Sequence, residues 1–230
     1  MYDIKTSIGN LGFTASYSFL NGDSIVTEQG KYTIVDSKGW SLGMFYTIPI
    51  KREESRNIFN VFYGTGAAEN YRSVMTAPLG VVLVPGYIYN PDKIKRFRVI
   101  NDFLMNISYK FSIQSTMVYQ DLNNGMDSNN RFTWFSLGVR PIWHFDKYFS
   151  LAVELGWDYK QQEGGEDGSL FKITFAPQIT PNNTVMSRPA LRVFVTYAFW
   201  SKSFVGQISP LSFGTQQEGL TFGIQAETWW

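Results

Sequence analysis

The chain has 230 residues, which is enough for one large β domain, and its charge is nearly balanced, with 20 basic and 19 acidic side chains. Balanced charge gives no electrostatic basis for a nucleic-acid partner, and the lack of cysteine excludes a disulfide framework or a thiolate metal site. Aromatic residues make up 17% of the chain, yet the mean hydropathy is only −0.15 and the apolar runs are too short for a membrane helix. This combination favours an all-β chain that forms a transmembrane barrel with a wet lumen.

Eleven strands are predicted in chain order, from runs in which apolar and polar residues alternate. The runs are Asp3–Ile8, Leu11–Phe19, Trp40–Ile50, Asn57–Tyr63, Arg96–Ile107, Tyr109–Gln120, Phe132–Phe145, Tyr148–Lys160, Ser169–Ile179, Pro189–Trp200 and Leu220–Trp230. Counted back from the C-terminus, their connections run long, short, long, short. This order is typical of an antiparallel up-and-down barrel in a bacterial outer membrane, with short periplasmic turns and long outer loops.

The final run, Leu220–Trp230, alternates without a break. Its length suits a tilted membrane strand, which needs about 9–11 residues, and its terminal Trp suits an aromatic girdle. The alternative is the edge strand of a soluble β-sandwich.

The alternation separates apolar from charged side chains. In Tyr148–Lys160, Leu151 and Val153 point one way while Glu154 and Asp158 point the other. A charge that faced lipid near the midplane would cost about 2–4 kcal/mol, so the charged face is predicted to line the lumen.

Aromatic and charged side chains share that predicted lumen face, and they are the candidate substrate-binding residues. A sugar needs both, because its C–H face stacks on a ring while its hydroxyls bond to charged groups. The alternative is that inward aromatic rings fill space near a loop. The predicted site residues are Trp229, Glu227, Arg192, Arg140, Trp134 and Phe194.

Catalysis has little support in the sequence. It contains no metal-ligand cluster, phosphate-binding glycine loop or nucleophile motif, so no cofactor or metal is expected. The one histidine, His144, lies at a strand end near Asp146, and an outer-membrane enzyme such as a barrel lipase is the weakest hypothesis. The leading hypothesis is a sugar-transporting porin; a general diffusion porin and a soluble carbohydrate-binding β-sandwich are the alternatives.

Several segments resemble strands of maltoporins, the carbohydrate porins. Ser187–Phe194, continued by Thr196–Ala198 and Trp200, resembles their penultimate strand, and Thr221–Gln225 with Trp229-Trp230 resembles their terminal strand. Four segments fit earlier strands in the same order: Tyr119–Asp121, Gly138–Pro141, Glu154–Asp158 and Lys172–Gln178. The resemblance covers most of the chain from about Trp40 and is specific from Tyr109 onward.

The resemblance implies an eighteen-stranded homotrimeric barrel that passes maltodextrins and ions by facilitated diffusion through the outer membrane. Sugars in that family move along a path of aromatic residues, the greasy slide. Trp229 matches a slide aromatic, Met186 stands where the family has a slide Trp, and another slide Phe falls near Leu42 or Phe45. The implied partners are sugars, maltodextrins among them, and outer-membrane lipid.

Strand parity predicts that residues 1–230 do not form a complete porin, and the resemblance favours a single porin domain that is the C-terminal portion of a longer barrel; a twelfth strand and edge pairing with another copy are the alternatives. With eleven up-and-down strands, the first and last run in the same direction, whereas single-chain barrels use even strand numbers. The edges near Asp3–Ile8 and Leu220–Trp230 are therefore not expected to join by a regular antiparallel ladder. A twelfth strand from Leu79–Tyr89 is disfavoured because Pro85 cannot donate to a central ladder.

Overall fold

The computed structural model describes residues 2–70, 86, 88–128 and 131–228. Fourteen strands lie in this part of the chain: β1 (Tyr2–Lys5), β2 (Asn10–Leu20), β3 (Asp23–Thr27), β4 (Gly30–Ile34), β5 (Ser37–Pro49), β6 (Arg56–Thr65), β7 (Ile88–Tyr89), β8 (Lys95–Ser108), β9 (Phe111–Asn123), β10 (Arg131–His144), β11 (Phe149–Gln162), β12 (Gly168–Ile179), β13 (Ala190–Trp200) and β14 (Glu218–Glu227). Single turns of 3-10 helix occur at Gly66–Ala68, Pro91–Lys93 and Lys202–Phe204, and one short α-helix, α1, at Pro210–Phe213. Within the described ranges, no helix is long and apolar enough to cross a membrane.

Eleven strands form one sheet in sequence order, β1-β2-β5-β6-β8-β9-β10-β11-β12-β13-β14, and every neighbouring pair is antiparallel. All eleven predicted strands are confirmed, with small changes at their ends. The edge strands β1 and β14 are not paired with each other, which confirms the prediction that they do not join. The all-β class is therefore correct, and the sheet is open across these described strands.

Two connections differ from the sequence prediction. The stretch expected to be a polar connection, residues 21–38, contains β3 and β4, which form a second, three-stranded sheet with β7. Of the segment considered for a twelfth strand, only Ile88–Tyr89 is a described strand, and it pairs with β4 outside the main sheet. Pro85 and most of that segment lie outside the described residues.

The connections define two ends of the sheet. The loop end carries the connections 21–36, 66–94, 124–130, 163–167 and 201–217, and the turn end carries 6–9, 50–55, 109–110, 145–148 and 180–189. The predicted long–short alternation holds except at 180–189, which is longer than the loop-end connection 163–167. Its length has a structural reason, because this segment folds back across the sheet.

The two faces of the sheet are chemically distinct, as the alternation predicts. The strand register puts five predicted lumen residues on one face, called here the inward face: Glu154, Asp158, Lys172, Arg192 and Glu227. It puts five predicted lipid-facing residues on the other, the outward face: Leu151, Val153, Phe171, Val193 and Ile224. Outward side chains stay exposed, with Val193 at 56% and Phe222 at 82%, as expected for a surface that lipid covers.

Two loop-end connections cover the inward face with apolar side chains. The β6–β8 connection places Tyr89 and Ile94 against Leu122 and Phe132, and the Tyr89 hydroxyl donates to the Asn124 carbonyl oxygen at 2.8 Å. The β13–β14 connection, residues 201–217, places Phe204 against Leu170 and Trp200 on the neighbouring strands. Because water is excluded from both clusters, the loop end of the inward face is largely dry.

Residues 180–189 cross the inward face at the turn end, and we call them the strap. Val185 is buried against Leu104, Ile142, Ala152 and Ala176, which belong to four different strands. The strap also reaches the turn between β8 and β9, where the Asn183 side-chain amide donates to the Tyr109 carbonyl oxygen at 2.6 Å. A segment that starts beside β12 can reach β8 and β9 in this way only if the sheet is curved toward the inward face.

Candidate functional site

The central part of the inward face carries an ion pair between two neighbouring strands. Arg140 lies on β10 and Glu154 on β11, and Arg140 Nε donates to Glu154 Oε2 at 3.0 Å. The side chains are 39% and 33% exposed, so water reaches both. Pro141 follows Arg140 and has no backbone N–H, and the β10–β11 register is interrupted at this point.

A second cluster of charges lies toward the turn end. Glu227 accepts from Arg188 Nη2 at 2.7 Å and from Arg192 Nη1 at 2.6 Å. Arg192 Nε also donates to Gln178 Oε1 at 2.7 Å, and the Gln178 amide donates to Ser150 Oγ at 2.9 Å. One carboxylate between two guanidinium groups leaves this cluster with a formal charge of +1.

A concavity of about 180 Å³ joins the two sets of charges. Phe194 contributes an aromatic ring to it, and Gly223 lies opposite Phe194 on β14. A Cβ atom at residue 223 would lie 3.0 Å from the Phe194 ring, so the glycine leaves room for that ring. The concavity is lined by Arg140, Ala152, Glu154, Thr174, Ala176, Arg192, Phe194 and Gln225.

Trp134 occupies a different place from the other predicted site residues. Its ring lies near the loop end, 6.0 Å from Phe204 and 6.1 Å from Phe132 between ring centres, and its Nε1 donates to Ser136 Oγ at 2.6 Å. Lys160 lies across the strand from Trp134, with its ammonium group 4.5 Å from the Phe204 ring centre and bonded to the Ser203 carbonyl oxygen at 2.7 Å. These contacts place Trp134 beneath the β13–β14 connection, away from the concavity.

A comparison with family models agrees with this arrangement of an apolar outward face and a charged inward face. The model for the LamB porin matches residues 1–230. The chain belongs to the LamB porin family. A porin of this family resides in the bacterial outer membrane, which assigns the outward face to lipid and the inward face to the pore, and it favours a channel over an enzyme.

Among solved structures, this LamB-family chain is similar to OmpTdeltaL8, a loop L8 deletion mutant of OmpT, an outer membrane protein of Vibrio cholerae. The two share 10% sequence identity with a TM-score of 0.38, over 96% of this chain and 76% of that chain. The likeness is distant, and the family match carries the assignment.

The structure brings together four of the six predicted site residues of this LamB-family porin. Arg140, Arg192 and Phe194 line the concavity, and Glu227 joins them through Arg192. Trp134 lies apart, and Trp229 lies outside the described residues. The residues that sequence reasoning missed are partners of the predicted ones, Gln178, Arg188 and Gln225. Arg188 could have been found from the sequence, because it belongs to the Ser-Arg-Pro segment that resembles the maltoporins.

The structure also locates the other residues considered for the greasy slide, which are Leu42, Phe45 and Met186. Phe45 is on the inward face, opposite Gly12 and Asn60, whereas Leu42 is on the outward face and 55% exposed. Met186 packs with Phe194 against the cluster around Val185. Phe45 is therefore the only one of the two β5 candidates that faces the pore.

His144 and Asp146 do not form a catalytic pair. His144 is buried, and its Nε2 lies 3.0 Å from Ser112 Oγ. Asp146 lies in the 145–148 turn and accepts from the backbone N–H groups of Tyr148 and Phe149, which hold the pKa of its carboxyl below the usual value. Both residues therefore have local structural partners.

Proposed function

We propose that the chain forms the wall of a sugar-conducting porin, in which the concavity around Phe194 is a sugar-binding site. The observation that carries the proposal is that one aromatic ring, the Arg140–Glu154 ion pair and Arg192 line the same concavity. A pore for small ions needs charges alone, whereas a sugar needs an aromatic surface for its C–H face as well.

The ion pair leaves hydrogen-bonding capacity for a solute. Arg140 donates through Nε and Nη2 to the same oxygen, Glu154 Oε2. Glu154 Oε1 accepts no hydrogen bond among the described residues, and the carboxylate is partly exposed. We therefore assign Glu154 as an acceptor for a sugar hydroxyl, with Arg140 and Arg192 as donors.

Trp229 is proposed as a second stacking residue, on the basis of its match to a slide aromatic in the maltoporins. In the sequence it is two residues after Glu227, whose carboxylate is held by Arg188 and Arg192.

A complete pore also needs the open edges to be closed, because unpaired backbone groups in hydrocarbon cost several kcal/mol each. The edge strands β1 and β14 run in the same direction, since ten antiparallel pairings connect the eleven strands. An antiparallel closure therefore requires an odd number of further strands. We propose that about seven come from a preceding part of the same polypeptide, which gives the even, eighteen-stranded count implied by the family, and that three such barrels form a homotrimer.

The experiment measures sugar block of the ion current through single channels of the full-length porin. Phe194→Leu keeps an apolar side chain against the strap but removes the ring. Since an aromatic contact contributes about 1 kcal/mol, the half-blocking sugar concentration should rise about fivefold, with little change in salt conductance. Val193→Ala, on the outward face of the same strand, is the matched control and should leave the block unchanged.

A general diffusion porin is the competing function. It is favoured by the packing of Trp134 and Phe194 against other parts of the chain, since inward rings can simply fill space. Current that falls in proportion to sugar concentration without saturating, in the unmodified protein, would overturn the sugar-specific proposal and support this one.

A further inference from the structure

The inward face of β10–β14, together with the strap, carries more positive than negative charge. Its cationic side chains are Arg140, Lys160, Lys172, Arg188 and Arg192, and its carboxylates are Glu154, Asp158 and Glu227. Five positive groups against three negative ones leave a formal charge of +2 on this described part of the wall. The excess lies toward the turn end, because Lys160 and Asp158, which are nearer the loop end, offset each other.

Two arginines bring unused donors to the concavity described above. Arg140 gives Nε and Nη2 to one oxygen of Glu154, so its Nη1 makes no hydrogen bond among the described residues. Arg192 gives Nε to Gln178 and Nη1 to Glu227, which leaves its Nη2 unengaged in the same part of the chain. Both arginines line the concavity, so each presents a charged N–H group there that no described side chain occupies.

Lys172 adds a third cation beside the concavity. It is exposed, and it lies two residues before Thr174, which lines the concavity. Its side chain extends across Gly156 on the neighbouring strand, since a Cβ atom at residue 156 would lie 3.2 Å from Lys172 Cε. Within the described ranges, the Lys172 ammonium group forms neither a salt bridge nor a hydrogen bond. Its charge is therefore available to a solute in the pore.

The nearby carboxylates are already engaged by arginines. Glu227 accepts from both Arg188 and Arg192, and one oxygen of Glu154 accepts two N–H groups of Arg140. The hydroxyls of a neutral sugar can bond to these groups, but they cannot compensate an excess of positive charge. A solute with a negative charge can, and a narrow cleft of one sign concentrates solutes of the opposite sign.

We infer that the preferred solute is an acidic saccharide, in which a carboxylate replaces the hydroxymethyl group of a sugar ring. This inference rests on the proposed sugar-conducting function and names the class of sugar. The ring stacks on Phe194, while the carboxylate accepts from an unengaged N–H group of Arg140 or Arg192. Such charge-assisted hydrogen bonds are about twice as strong as those between neutral groups. The replacement enlarges the ring's substituent by a single oxygen atom, so it suits a concavity of about 180 Å³ as well as the neutral ring does.

Single-channel block by two matched disaccharides tests this inference in the full-length porin. Digalacturonate and galactobiose have the same α-1,4-linked rings, and they differ in carrying carboxylates or hydroxymethyl groups. With block extrapolated to zero voltage, the half-blocking concentration of digalacturonate should be about tenfold lower, because hydrogen bonds to charged groups are stronger. Raising the salt concentration from about 0.1 M to about 1 M should reduce this ratio, since the Debye length shortens.

Two substitutions locate the preference within the pore. Arg192→Gln should raise the half-blocking concentration of digalacturonate about tenfold and that of galactobiose by less than about threefold. Lys172→Gln alters an exposed side chain without a partner among the described residues, so it should fold normally and reduce the preference about threefold. The matched control is Lys95→Gln, which removes the same charge at the loop end of β8 on the outward face and should leave the ratio unchanged.

Three results would overturn the inference. They are equal half-blocking concentrations for the two sugars, a lower one for galactobiose, and a preference for digalacturonate that neither Arg192→Gln nor Lys172→Gln reduces. Saturable block by both sugars at equal concentrations would leave the sugar-conducting function intact and overturn only the acidic preference. Block by neither sugar would overturn both proposals.

Discussion

Two arginine–glutamate pairs lie on the inward side of the same sheet, and their surroundings differ sharply. Arg96 and Glu69 are 6% and 3% exposed beneath the β6–β8 connection, whereas Arg140 and Glu154 are 39% and 33% exposed in the central concavity. Glu69 Oε1 is buried without a hydrogen-bond partner among the described residues, while the Glu154 side chain is partly exposed. Burial raises the pKa of the Glu69 carboxyl, although Arg96 beside it acts in the opposite direction.

The difference shows that a charge on the inward face is not by itself a solute contact. Whether a charged side chain on this face can contact a solute depends on whether a connection folds over that side chain. The covered pair holds the β6–β8 connection against β8 and, through Arg96 Nη1, against Gln120 on β9. The uncovered pair stays available to the pore.

The largest effect is expected from removal of the covered arginine. Arg96→Met leaves the Glu69 carboxylate buried without its partner, and loss of one member of a buried ion pair costs about 3–5 kcal/mol. The free energy of unfolding, measured by urea titration in lipid vesicles, should fall by this amount. A loss below about 1 kcal/mol would show that the pair is as solvated as the one in the concavity.

A smaller effect is expected from pH at the same pair. The folded-state pKa of Glu69 lies above its ordinary value of 4.5, so the unfolded state loses this proton first as the pH rises. Stability from this group is complete below the ordinary value and declines as the pH rises through the raised pKa, by about 1.4 kcal/mol for each pKa unit. Glu69→Gln has no such proton, so its stability relative to the unmodified protein should improve from acidic to neutral pH. A pH-independent difference would contradict this.

The smallest effect on stability is expected in the concavity. Glu154→Gln should change the free energy of unfolding by less than about 1 kcal/mol, since partly exposed ion pairs contribute little. The same variant removes one negative charge from the pore wall and should shift the reversal potential of a salt gradient toward anion preference. If stability fell as far as in Arg96→Met, the contrast between the two pairs would be wrong.

The alternation of side chains was sufficient to predict the eleven strands and their two faces, because lipid on one side and water on the other impose a period of two. It was also sufficient to predict that the side chains of four residues on regular strands lie on the inward face: Arg140, Arg192, Phe194 and Glu227. For such residues, position along the strand fixes the direction of the side chain.

The connections that fold over the inward face could not be predicted in the same way. The described residues of the connections 66–94, 180–189 and 201–217 have no periodicity, and their positions depend on contacts with strands that are distant in sequence. A partial signal existed, since Leu122, Phe132 and Leu170 are apolar residues on the face that also carries the charged side chains. Apolar side chains at such positions indicate that another segment covers them.

The strap also has a consequence for the order in which the chain folds. Val185 N–H donates to Asn106 Oδ1 at 3.3 Å, across a sequence separation of 79 residues, whereas neighbouring strands such as β8 and β9 meet through a two-residue turn. Contacts between residues so far apart in sequence form slowly, because closing a longer loop costs more chain entropy before any stabilising contact forms. The surface that receives Val185 also comes from β8, β10, β11 and β12, so it does not exist until those strands have aligned. Docking of the strap is therefore expected to be a late kinetic step. It follows pairing of the strands in the hairpins, and it can occur only after β8 to β12 have formed their part of the sheet.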